Sequence, residues 1–319
     1  MQRRLLLSAI LATPALAQSW PERPVRIVVP DAAGGGNDTT ARVFAHQLER
    51  LLGQPFPVDN RAGAGGRIGV EHVFRSPPDG STLLLGNAGS NGINAALYRD
   101  LPYDLERDVT PISLLVTGPN ALAVNPRLLP QGGVAELIAL LRTRPAGSVN
   151  YASAGPGSSA HFSMELFKSM TGLDLTHIPY RGAAAMGQAV VSGDAPVIIA
   201  NLVNIQPFIT RGEIRLLAVT SLERWAPLPD VPTLHESGLA GYETLAWNGL
   251  FGPPGLPPIV AERLLPALRR AAEQPDLRDR IRAIGGQLVV SDAATLAARV
   301  REDIAKWRRL AAAANIRAE

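Results

Sequence analysis

The chain has no cysteine. That excludes disulfides and thiolate metal sites, so stability must come from packing alone. Lysine is nearly absent, with only Lys168 and Lys306 in 319 residues. The positive charge is carried by scattered arginines and is almost matched by acids, for a formal net charge of +3. No basic stripe exists that would neutralise a phosphate backbone, so no nucleic-acid partner is expected. The five histidines, His46, His72, His161, His177 and His235, show no i, i+4 pairing and no accompanying carboxylate cluster. No metal site is expected from them. Beyond the first residues no apolar run approaches the ~20 residues that cross a bilayer. There is no internal repeat, and the only biased segment is an alanine-rich stretch near the C-terminus.

What is present begins at the N-terminus. Arg3 and Arg4 precede an uncharged, mostly apolar run from Leu5 to Leu16, and Ala15-Leu16-Ala17 has the small-x-small pattern of a signal-peptidase site. Residues 1–17 read as a signal peptide cleaved after Ala17. The run is too short for a stable anchor, and Pro14 weakens the alternative of a core helix. With no cysteine near the cut, lipid attachment is excluded. Without Arg3 and Arg4 the formal +3 falls to about +1. The expected product is a soluble periplasmic protein of about 300 residues, enough for two cores. Glycine and proline are plentiful but dispersed between apolar runs, as in a loop-rich globular protein.

The remaining chain repeats one grammar of apolar strand, Gly/Ser/Asn loop and helix. Val25 to Val29 is a β-branched strand, Asp31 to Asn37 a glycine loop, and Asp38 a candidate cap for the helix that Gly53 closes. Phe56 to Val58 and Thr82 to Leu85 read as further strands. Later units run from Val149 to Ala152, Leu175 to Ile178, Val197 to Ala200 and Ile214 to Val219. Alternation of this kind predicts an α/β architecture with mainly parallel sheets. Two stretches read as crossings between lobes. One is Thr117 to Asn120, where Gly118-Pro119 joins the apolar runs Ile112 to Val116 and Ala121 to Val124. The other is the Pro- and Gly-rich segment from Pro227 to Leu245. A strand at Trp247 to Phe251 and helices at Ile259 to Ala272, Asp276 to Ile284 and Ala293 to Ala314 follow. The predicted organisation is a discontinuous first lobe of residues 20–119 and 246–319, and a second lobe of residues 120–245.

Tests for chemistry are mostly negative. In Gly63-Ala64-Gly65-Gly66-Arg67-Ile68-Gly69 the third glycine of a dinucleotide fingerprint is replaced by Ile68. Lys168-Ser169 lies inside a predicted helix, which excludes a P-loop. No cofactor is expected. Ala88-Gly89-Ser90-Asn91-Gly92 resembles a nucleophile elbow, so a secreted hydrolase using Ser90, with His177 or His235, is the enzymatic rival. What remains is a set of neutral polar loops at helix N-termini, where unpaired N–H groups attract carboxylates. Gly34 to Gly36 allows close approach of a ligand. Ser158 and Ser159 add hydroxyls, although either serine can equally serve as a helix cap.

These loops carry motifs that match a known family. They include Pro24-Val25-Arg26-Ile27-Val28-Val29-Pro30, Asn60-Arg61-Ala62-Gly63-Ala64-Gly65-Gly66, Pro78-Asp79-Gly80-Ser81-Thr82-Leu83, Asn150-Tyr151-Ala152-Ser153-Ala154-Gly155, Pro179-Tyr180-Arg181-Gly182-Ala183 and Trp247-Asn248-Gly249-Leu250. From Trp20 onward the chain resembles the periplasmic solute-binding proteins of tripartite tricarboxylate transporters, the Bug family. The resemblance implies a type II periplasmic binding fold, two α/β lobes with a ligand cleft between them. It implies a monomer that captures a small organic carboxylate and delivers it to membrane transporter subunits; service as a sensor for a signalling partner is an alternative. Carried over, the first-lobe contacts are Ala32, Ala33, Gly34, Gly36 and Asn37 in one loop and Asn87 and Ser90 in the other. The second lobe would contribute Ser153, Ser158, Ser159, Tyr180, Arg181, Gly182 and Asn201. Two departures stand out. Asp31-Ala32-Ala33 replaces the family's Phe-x-Pro, and Ala200 stands where an acid often precedes the Asn; the second favours a simple carboxylate over an amino acid.

Overall fold

The computed structural model describes residues 20–98, 100–313 and 316. The expected signal peptide and its cut after Ala17 lie outside them. β1 (Arg26–Val29), α1 (Gly36–Leu52), β2 (Val58–Asn60), α2 (Arg67–Phe74) and β3 (Thr82–Asn87) come first. A π-helical turn at Gly89–Ile93 then leads into the short α3 (Asn94–Leu97). The long β4 (Thr110–Val124) is followed by α4 (Val134–Arg142), β5 (Asn150–Ser153), α5 (Ser159–Thr171), β6 (Thr176–Pro179) and α6 (Ala183–Ser192). Next come β7 (Val197–Asn201), α7 (Leu202–Thr210) and β8 (Arg215–Val219). β9 (Leu245–Gly252), α8 (Pro258–Glu273), α9 (Pro275–Ala283), β10 (Gln287–Leu288) and α10 (Ala293–Ala313) complete the described elements.

β4 belongs to two sheets at once. Its residues Thr110 to Pro119 pair with β9, and Val116 and Thr117 pair with β10. Its residues Asn120 to Val124 pair with β7 on one side, and from Ala121 with β8 on the other. The first sheet therefore runs β2-β1-β3-β9-β4-β10 and the second β8-β4-β7-β5-β6. The two apolar runs that Gly118-Pro119 joins form one fifteen-residue strand. Pro119, which lacks an N–H, occupies the last rung of the first ladder, opposite Leu245, where a missing donor costs least. The parallel strands are β1 to β3 and β5 to β7; β4, β8, β9 and β10 pair antiparallel, so the sheets are more mixed than expected.

Both sheets are covered on two faces, as their continuous apolar strands require. Ile27, Val29, Leu83 and Leu85 point to a core shared with α1, α8 and α9. Their neighbours Val28 and Leu84 point the other way, to Val70 and Val73 of α2 and Leu296, Val300 and Ile304 of α10. In the second sheet Leu122, Val124, Tyr151, Val197 and Ile199 meet α4 and α5. Ala121, Ala123, Ala152, Ile198 and Ala200 meet α6 and α7.

Two local expectations are revised. Helix α1 begins earlier than predicted, capped at the extended Gly35, so Asp38 sits within the first turn. There its carboxylate accepts the Gly34 N–H at 2.9 Å and the Arg42 Nε–H at 3.0 Å, and its charge complements the helix dipole. The second strand is Val58–Asn60, displaced from Phe56 to Val58, because Phe56 is buried in the first core and β1 pairs with the residues after Pro57.

Candidate functional site

Each sheet has one point where strand order reverses. β1 lies between β2 and β3, and the connections through α1 and α2 run over opposite faces. β5 likewise lies between β6 and β7, with α5 on one face and α6 on the other. At such a reversal the outgoing loops diverge and leave a crevice beyond the carboxyl ends of the strands. The first crevice is bounded by the loop from Asp31 to Gly35 and by Asn87 and Ala88. The second is bounded by the loop from Ala154 to Ser158 and by Asn201.

The two crevices approach each other. The Gly36 N–H, in the first turn of α1, points at the Asn204 Oδ1 of α7 at 3.4 Å, and a Cβ at Gly36 would lie 2.7 Å from Val203 Cγ1. A Cβ at Gly89 would lie 3.4 Å from the carbonyl oxygen of Gly157. Gly34, at φ +81°, adopts a conformation that suits glycine and turns the loop toward α1. Ala32, Ala33 and Gly34 are exposed.

Asp31 organises the first side. Its Oδ2 accepts the side-chain amides of Asn37 and Asn87, each at 2.7 Å. Asn37 Oδ1 in turn accepts the Asn248 amide at 2.9 Å, and Asn87 Oδ1 accepts the N–H groups of Gly89 and Ser90 at 2.9 and 3.0 Å. Asp31 keeps some accessible surface but is enclosed enough that loss of solvation raises its pKa, against the lowering effect of the two amides. Ser90 is buried. Its hydroxyl lies 2.6 Å from Asn91 Oδ1 and accepts the Asn87 N–H at 3.1 Å. Among the described residues its hydrogen bonds are to Asn87 and Asn91, and none is to a histidine.

On the second side, Ser158 is the N-cap of α5 and accepts the His161 N–H at 3.2 Å. The preceding N–H groups of the helix have no intrahelical partner. Ser159 Oγ lies 3.0 Å from the Asn120 amide nitrogen, which also reaches Ser163 Oγ at 2.9 Å and Thr244 Oγ1 at 3.1 Å. Asn120 and Thr244 are fully buried beside the points where the chain passes between the sheets. Ser153 is fully buried; its hydroxyl is 2.5 Å from His177 Nε2 and accepts the Gly155 N–H. His177 is stacked between Tyr151 and His161. The nearby Glu165 is bound by the Tyr151 hydroxyl and Lys168. Tyr180 packs partly against the α6 and α7 core, Arg181 is exposed, and Gly182 caps α6 at φ +87°. Asn201 ends β7, caps α7 and shares a pocket with Gly36, Asn37, Pro119, Asn248 and Gly285.

Of the residues expected at the site, Gly36, Asn37, Asn87, Ser158, Ser159 and Asn201 lie around the two facing crevices. Ser90 and Ser153 have hydroxyls engaged within the protein. Sequence reasoning missed Asp31, Asn120, Thr244, Asn204 and Asn248. The available signal was the recurrence of asparagine at strand ends and the single acid in the first loop. Ala200 packs in an apolar cluster.

The model of the TctC family, described as tripartite tricarboxylate transporter family receptor, matches residues 40–316. Protein BugT of Bordetella pertussis is 32% identical over 303 residues, covering 95% of this chain and 92% of that protein. The solved structure of R. palustris Rpa4515 with adipate has 36% identity and a TM-score of 0.88, over 93% of this chain and 99% of that one. That of MatC (Rpa3494) from Rhodopseudomonas palustris with bound malate has 33% identity and a TM-score of 0.85, over 91% and 99%.

Proposed function

The chain belongs to the tripartite tricarboxylate transporter receptor family, the Bug family, and from that premise we propose that it captures a small organic carboxylate between its two lobes. The family is one of solute-binding receptors and not of enzymes. Residues 20–119 and 246–319 make up one lobe, and residues 120–245 the other. The observation that carries the reading is the pairing of two switch-point crevices, one with the free N–H groups and hydroxyls of the α5 N-terminus. A carboxylate there gains charge-assisted hydrogen bonds and the favourable end of a helix dipole. The adipate and malate held by the two related proteins support the same chemistry. Lobe closure excludes water and strengthens those bonds.

The protein works in the periplasm after cleavage following Ala17, and hands its ligand to membrane transporter subunits. Among the described residues no helix is long and apolar enough to cross a membrane. Ala32, Ala33, Gly34, Gly36, Asn37, Asn87 and Ser90 shape the first-lobe end of the site. Ser153, Ser158, Ser159, Tyr180, Arg181, Gly182 and Asn201 shape the second. It turns over no substrate. Calorimetric titration with aliphatic mono-, di- and tricarboxylates tests the proposal. Binding is expected for at least one, and Ser158→Ala with Ser159→Ala should weaken it at least tenfold, about 1.4 kcal/mol. Unchanged affinity in the double variant would remove α5 from the site.

A further inference from the structure

Asp31 is a carboxylate at the mouth of a crevice built for a ligand, and only half of it is used by the protein. Both amides that bind it, from Asn37 and Asn87, reach the same oxygen, Oδ2. Together they fix the plane of the group. Oδ1 has no hydrogen bond among the described residues, and the side chain retains accessible surface. Asp31 also joins no ion pair among the described residues. The guanidinium groups of Arg42 and Arg61 are paired with Asp38 and Asp59. The asparagines around the carboxylate bring no positive charge. An ordered, uncompensated negative charge therefore stands at the first-lobe end of the cleft, opposite the carboxylate-attracting end of α5.

Resting on the carboxylate reading above, we infer that Asp31 determines specificity: the ligand carries a protonated amine at its first-lobe end, paired with Asp31, and a carboxylate at its second-lobe end. Loop organisation alone does not account for Asp31, since it uses one oxygen and leaves the other open. A second ligand carboxylate at this end would meet like charge in a poorly solvated place, whereas an ammonium group supplies the missing counter-charge and a donor for Oδ1. The inference turns around the expectation of a simple carboxylate that Ala200 suggested.

The test uses pairs of probes with the same chain length and the same carboxylate at one end. Succinate is compared with γ-aminobutyrate, glutarate with δ-aminovalerate, and adipate with ε-aminocaproate, by titration calorimetry on the purified chain. In at least one pair the amino acid should bind at least tenfold more tightly than the diacid. Asp31→Asn, which keeps an oxygen for Asn37 and Asn87, should cancel or reverse that preference, while Ser159→Ala weakens both members alike. A wild-type preference for the diacid in every pair overturns the inference without any variant, as does a preference that Asp31→Asn leaves unchanged. If Ser159→Ala still weakens diacid binding, the carboxylate reading survives that loss. Absence of binding by every probe overturns both.

Discussion

His161 lies in the first turn of α5 with its ring 4.3 Å from that of His177. Its Nδ1 is buried without a partner. Burial, and then the neighbouring imidazole, push its pKa down from 6.5 to about 4. The folded protein holds this ring neutral where an unfolded chain would protonate it. Stability should therefore be undiminished above the ordinary histidine pKa. It should fall as pH drops from 6.5 and level off near the folded value of about 4. The gap corresponds to about 3 kcal/mol. Urea unfolding between about pH 7.5 and about pH 4.5 should show this slope, and His161→Gln should flatten it. At the same scale, Ser158 caps α5 whatever else it does. Ser158→Ala alone should lower stability by about 1 kcal/mol, and equal unfolding midpoints for variant and wild type would remove the cap from the account.

At the scale of elements, the site depends on helices held close to their neighbours. α6 and α7 cover one face of the second sheet, and their contact is set by Gly187, where a Cβ would overlap the Phe208 ring. Gly187→Ala should destabilise the protein by about 1–3 kcal/mol through overpacking, read as a lower urea midpoint at unchanged m-value. A neutral result would mean that the ring moves freely, which its packing beside Ile205 and Ile214 argues against. Gly36 plays the corresponding part between the N-terminus of α1 and Val203 of α7. The first-turn carboxylate of Asp38 also belongs here. It ties Gly34 to Arg42 and so holds the loop after β1 against the helix that follows.

For the whole molecule, the two lobes are joined by the strands that cross between sheets. Asn120 and Thr244 lock these crossings together, with Thr220 donating to both backbone carbonyls and Ser159 attached through Asn120. A ligand bound at Ser159 thus touches the same polar cluster that fixes the crossing. A second link between the lobes is apolar: Phe162 of α5 meets Trp307 of α10 edge-on at 5.6 Å, among Ile93, Leu97 and Leu310. Trp247, by contrast, donates to Asp303 within the first lobe. If opening of the lobes separates these surfaces, ligand binding should change Trp307 emission by holding them together, and Phe162→Leu should diminish the change. A ligand response that survives Trp307→Phe intact would place the reporter elsewhere.

The sequence by itself determined most of the elements and their order, though not α4 or β10. Apolar runs, helix-opening glycines and the alternation of strand and helix act over a few residues, so they could be read locally. The motif series determined the family, and the two-lobed fold with it. Local reading failed at element ends, as at Pro57, where strand pairing begins later than the pattern suggests, and at Asp38, which lies inside the first helical turn. Only the tertiary structure decided which polar side chains face one another. Asp31 meets Asn87 across 56 residues, Asn120 meets Thr244 across 124, and Asn37 meets Asn248 across 211. No short-range signal encodes such meetings, because they arise where strands distant in sequence end side by side. That is why the hydroxyls of Ser90 and Ser153 read as available from sequence although they are engaged within the protein, and why the acid in the first loop reads from sequence only as a departure from a motif.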